Sequence, residues 1–117
     1  MERYDAIEPR RRPTPAPVRR AAGQLAESLQ AWRKLQGLTQ SQLADRAGIG
    51  VRTLARLEHA DAGVSIENLF RVLRALGLLD SLQEALDPYS SDLGRLRADE
   101  QLPRRVRPRR LGGRSSA

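Results

Sequence analysis

The chain has 117 residues, a formal net charge of +7 and no cysteine, which excludes disulfides and cysteine-ligated zinc and fits a reducing cytoplasm. Its 39% hydrophobic content is low for a packed globule, so the length supports one domain with part of the chain left unpacked. No run of 18 apolar residues marks a membrane span, and no signal-peptide pattern opens the sequence.

The charge is uneven. Residues 1–23 carry 6 basic and 3 acidic groups, residues 24–87 carry 7 and 8, and residues 88–117 carry 8 and 3. The centre is near neutral and the excess sits at the two ends, nearly all of it arginine, since Lys34 is the only lysine. Residues 1–23 hold Pro9, Pro13, Pro15 and Pro17 around Arg10, Arg11 and Arg12. Prolines at that density oppose helix, so this segment reads as a disordered, Pro/Arg-rich arm.

A first helix is expected over residues 24–36, with Leu25, Leu29 and Trp32 facing inward and Gly37 closing it. Trp32 reads as a core anchor. Thr39 is placed to cap a second helix over residues 40–47, in which Leu43, Ala44 and Ala47 share one face. Gly48 then turns the chain, because a positive φ angle is cheap only without a Cβ. Ile49 fills the gap beyond the corner. A third helix over residues 51–59 buries Leu54 and Leu57 and turns Val51, Arg52, Thr53 and Arg56 outward.

Ser65 caps a fourth helix with Ile66, Leu69, Phe70, Leu73 and Leu76 on its apolar face, ended by Gly77. Asp80 is placed to cap a fifth, with Leu82 and Leu86 on one side and Pro88 blocking extension. Five short helices over residues 24–87 bury only about 60% of the unfolded surface. Such a core is marginal, and dimerisation is the expected remedy. Residues 88–117 read as a largely disordered Arg-rich tail, with the composition of a short helix at 91–102 that Gly94 weakens and Pro103 stops. Residues 105–108 are faintly similar to an AT-hook, with Val106 in place of its central glycine.

The small residue Ala44, the Gly48 corner and the aliphatic Ile49 together make residues 40–58 a helix-turn-helix. The segment resembles the Cro and phage-repressor group of regulators, the XRE family, through Leu38-Thr39-Gln40, Leu43-Ala44, Gly48 and Leu54-Ala55-Arg56-Leu57-Glu58. The resemblance implies an all-α, five-helix domain that inserts its third helix into the major groove of double-stranded DNA. It also implies site residues. Gln40 would meet a phosphate at a helix N-terminus. Val51, Arg52, Thr53 and Arg56 would face base edges and phosphates, with Arg52 suited to a guanine and Val51 to a thymine methyl. Arg33 and Glu58 match the family's partly buried ion pair and belong to the scaffold.

Two positions depart from the family pattern. Gly50 replaces the usual Ser or Thr cap of the third helix, and Glu58-His59-Ala60 replaces Glu-x-Gly. The sole histidine, His59, reads as a helix-end residue and not as a ligand.

Catalysis needs a nucleophile, a base and a charge stabiliser that converge. One His, no Cys and no Gly-rich phosphate loop point away from an enzyme, a metal site or a bound cofactor. The expected function is a cytoplasmic regulator, nucleoid-associated when bound, acting as a repressor and binding a two-fold operator as a homodimer. Its two basic ends read either as solvated tails or as arms on DNA phosphate. The alternative is a HipB-type antitoxin that holds a partner toxin and regulates its own operon.

Overall fold

The computed structural model describes residues 12–102. Its elements, in chain order, are α1 (Ala16–Leu35), α2 (Gln40–Ala47), α3 (Val51–Glu58), α4 (Ile66–Leu76), α5 (Leu79–Leu86), a 3₁₀ turn at Pro88–Ser90 and α6 (Asp92–Gln101). No strand occurs among the described residues, and the all-α expectation holds. The chain divides after Gly77 into two compact units, so α5, expected to complete a domain over residues 24–87, groups with the residues that follow it.

In the first unit, helix begins at Ala16 and not at residue 24. Pro15 sits in extended backbone at the N-cap (φ −61, ψ 148), and Pro17 falls within the first two helical positions. There a missing N–H costs nothing and the fixed φ suits the helix. Beyond Pro17 no proline opposes helix, so residues 16–23 leave the arm assigned to them. Of the two expected arms, residues 1–11, with Arg10 and Arg11, and residues 103–117, with the AT-hook-like residues 105–108, lie outside the described residues.

The buried stripe of α1 runs through Ala26 and Leu29 and continues one turn on to Arg33. Trp32 lies off this stripe and is 42% exposed, so it is not the core anchor its spacing from Leu29 suggests. The inward position at that level belongs to Arg33. Leu29, Leu43, Leu54 and Val72 are the largest fully buried side chains. They supply the core where α2 packs on α3 and α4, and where α1 and α4 meet α3. The Gln36 amide also donates to the Leu76 carbonyl at 2.9 Å, joining the ends of α1 and α4.

Ser65 caps α4 as expected, its Oγ accepting from the Asn68 N–H at 3.1 Å. On α4, Leu73 and Leu76 are buried as expected and Val72 joins them, fully buried, whereas Ile66, at the first position of the helix, is 67% exposed.

In the second unit, Leu78 occupies the N-cap of α5 without a side-chain bond, and Asp80 lies in the first turn. Asp80 therefore meets the positive helix end as a charge and not as a cap. Leu86 is 74% exposed and does not join Leu82, which is half-buried. Asp87 caps the 3₁₀ turn by accepting from the Tyr89 N–H at 2.9 Å. Ser91 caps α6 by accepting from the Gly94 N–H at 3.0 Å. Ala98 is the buried residue of α6.

Candidate nucleic-acid interface

The corner between α2 and α3 is built from local chemistry. Thr39 forms a capping box: its Oγ1 accepts from the Gln42 N–H at 3.1 Å, and its own N–H donates to Gln42 Oε1 at 2.9 Å. The two ends of the first turn are thereby satisfied reciprocally. Gly48 adopts φ 73 and ψ 33 at the end of α2. From there the Gly48 N–H reaches the Asp45 carbonyl at 3.2 Å and the Ile49 N–H reaches the Ala44 carbonyl at 3.0 Å. This paired closure reverses the chain within two residues. Gly50 then starts α3 with no side-chain cap, as its departure from the family pattern implies.

On α3, Leu54, Leu57 and Glu58 are buried, while Val51 is 47% exposed. Arg52 and Arg56 are exposed as well, and Thr53 is half-buried at the edge of that face. The structure therefore brings Val51, Arg52 and Arg56 together on one outward face, with Thr53 at its border. Gln40 is drawn elsewhere. Its Nε2 donates to Glu58 Oε1 at 2.9 Å, so its side chain serves the scaffold, and what α2 offers an anion is the backbone N–H groups of its first turn.

Glu58 is the centre of that scaffold. Its Oε2 accepts from Arg33 Nε at 2.8 Å and its Oε1 from Arg33 Nη2 at 3.1 Å, alongside Gln40. Side-chain exposure is 12% for Arg33 and 1% for Glu58. The Glu58 carbonyl also accepts from Gln30 Nε2 at 2.7 Å, and Arg33 Nη1 donates to the Leu38 carbonyl at 3.0 Å. One carboxylate thus joins α1, α2 and α3, and fixes the angle at which α3 presents its outer face.

A family model described as helix-turn-helix matches residues 29–80, from the buried Leu29 of α1 to the first turn of α5. Residues 29–80 are a helix-turn-helix domain. No curated protein and no solved structure matches the chain. No group of residues able to hold a metal ion occurs among the described residues, and no helix there is long and apolar enough to cross a membrane.

In the helix-turn-helix domain α3 is followed by a shaped loop that sequence reasoning missed. Arg56 Nε donates to Asp61 Oδ2 at 2.8 Å. Asp61 Oδ1 accepts from the Gly63 N–H at 2.8 Å, and the Asp61 N–H donates to the Arg56 carbonyl at 3.0 Å. The hydrogen bond from Arg56, then that from Gly63, hold the Asp61 carboxyl below its usual pKa. The pair is therefore fully formed above the ordinary carboxylate range and weakens as pH falls through the lowered value. The available clue was the Asp61-Ala62-Gly63 turn composition.

His59 is an exposed helix-end residue, its Nδ1 lying 2.7 Å from the Ala55 carbonyl. Ala60, where the family pattern has glycine, takes φ 65. A left-handed conformation costs a residue with a Cβ about 1–2 kcal/mol, and glycine returns part of that through its freer unfolded chain. Ala60→Gly should therefore raise stability by about 1 kcal/mol in urea unfolding; a loss would mean that Ala60 is unstrained.

Proposed function

We propose that the chain is a sequence-specific transcriptional regulator, a repressor that binds a two-fold operator as a homodimer with α3 in the major groove. The observation that carries this reading is the exposed face Val51, Arg52 and Arg56 directly beyond a rigid glycine corner. Arg52 offers a planar fork that matches guanine O6 and N7, and Val51 a methyl surface for thymine. Thr53 bonds a phosphate or a base from the edge of the face, and the N-terminus of α2 at Gln40 receives a phosphate. In a homodimer two such helices enter successive major grooves roughly 34 Å apart.

Selection of bound duplexes from a random pool tests the reading by yielding a two-fold sequence. On that site Arg52→Ala should lose about 1–3 kcal/mol of binding and relax preference at one base pair. Equal losses on every sequence would show that Arg52 meets only the phosphate backbone.

A second reading, an antitoxin-type module that holds a partner protein, is favoured by the second unit. Leu86, Leu93 and Leu96 are 74%, 61% and 57% exposed there, a density of exposed apolar groups that suits a protein contact. Sedimentation separates the two. A self-associating unit gives dimers of the chain alone, and a toxin-holding unit gives monomers until the toxin is added.

A further inference from the structure

We propose that Asp61 is a specificity-determining residue of the DNA-reading surface, a positioning residue that holds the Arg56 fork for one guanine; the inference rests on the DNA-reading role of α3. The Arg56 side chain is 51% exposed and that of Asp61 40%. Such an open pair adds little to stability, so folding alone does not account for it. What distinguishes the pair is how completely the carboxylate is fixed. Oδ1 is taken by the Gly63 N–H and Oδ2 by Arg56 Nε, while the Asp61 backbone N–H closes onto the Arg56 carbonyl. A Cβ on Gly63 would lie 3.1 Å from Asp61 Oδ1, so the loop grips the carboxylate closely.

The bond to Asp61 uses the inner nitrogen of Arg56. Its two terminal nitrogens carry no hydrogen bond among the described residues, and they are the pair that spans guanine O6 and N7. A free arginine must give up its rotamer freedom when it makes that contact, whereas a guanidinium already held gives up less. Asp61 acts a second way at longer range. Its charge stands beside the surface that would approach DNA and opposes phosphate on any sequence. The first effect favours the cognate site over arbitrary DNA; the second weakens binding to every duplex alike.

The test uses the full chain, a duplex selected by it from a random pool, and an unrelated duplex. Asp61→Asn keeps an oxygen for the Gly63 N–H and removes the charge that holds Arg56. The variant should unfold at the wild-type temperature. Its preference for the selected duplex over the unrelated one should fall about tenfold, with choice relaxed at the base pair that Arg56→Ala relaxes. An unchanged preference in Asp61→Asn, or an equal gain on both duplexes, would overturn the positioning role while leaving DNA reading by α3 intact. If the wild-type chain selects no sequence at all, both fall.

Discussion

Arg33→Ala is expected to cost about 3–5 kcal/mol, a large fraction of the total stability of a small domain. The substitution removes both guanidinium bonds to Glu58 and the bond from Nη1 to the Leu38 carbonyl. It strands a carboxylate whose side chain is only 1% exposed, with the Gln40 amide as its remaining side-chain donor. Losing one partner of a buried pair costs far more than the pair itself contributes, because the survivor keeps its desolvation penalty. Replacing both partners together with Met and Leu should therefore restore most of the loss. Urea unfolding of the single and double variants checks this. A single variant that loses less than about 1 kcal/mol would show Glu58 to be solvated after all.

Gly94→Ala should disrupt the contact between α6 and the 3₁₀ turn, at a net cost of about 2 kcal/mol. Helix propensity alone predicts the reverse, since alanine inside a helix is favoured over glycine by about 1 kcal/mol. Space decides the sign. A Cβ at Gly94 would overlap the Pro88 carbonyl oxygen, with the Pro88 carbonyl carbon and Ser91 Oγ each 2.8 Å away. Two of those atoms are backbone and cannot rotate aside, so either α6 or the turn must move. The Ser91 cap shares that corner, its Oγ accepting the Gly94 N–H, and would be lost with it. Faster amide exchange across residues 92–101, with the α1–α4 amides unchanged, is the expected result. Unchanged or slower exchange there would show that the turn yields easily.

Features set by neighbouring residues were legible in the sequence. The Thr39 and Ser65 caps, the corner at Gly48 and the leucine stripes at Leu43 and Leu54 depend on side chains within a turn or two. The Arg33–Glu58 pair was legible through its place in the XRE pattern, since 25 residues separate its partners. What escaped were outcomes settled by tertiary contacts. Trp32 shares helical spacing with Leu29, yet the core selects the face through Ala26 and gives the next inward place to Arg33. On α4 the core takes in Val72 beside Leu73 and leaves Ile66, at the first position of the helix, exposed. Proline content hid the early start of α1, because a proline in the first turn permits the helix it would break elsewhere. Of the candidate site, Val51, Arg52 and Arg56 share an exposed face as expected. The ties of Gln40 to Glu58 and of Arg56 to Asp61 were not legible. The first spans 18 residues, and the second spans 5 across a left-handed turn at Ala60.

The Glu58 junction has a mechanical consequence. With one carboxylate pinning α3 to both α1 and α2, α3 has no hinge of its own and moves with them as a stiff die. In the proposed complex any misfit of groove width or curvature then falls on the nucleic acid. Sequences that flex readily would be preferred even at base pairs no side chain touches.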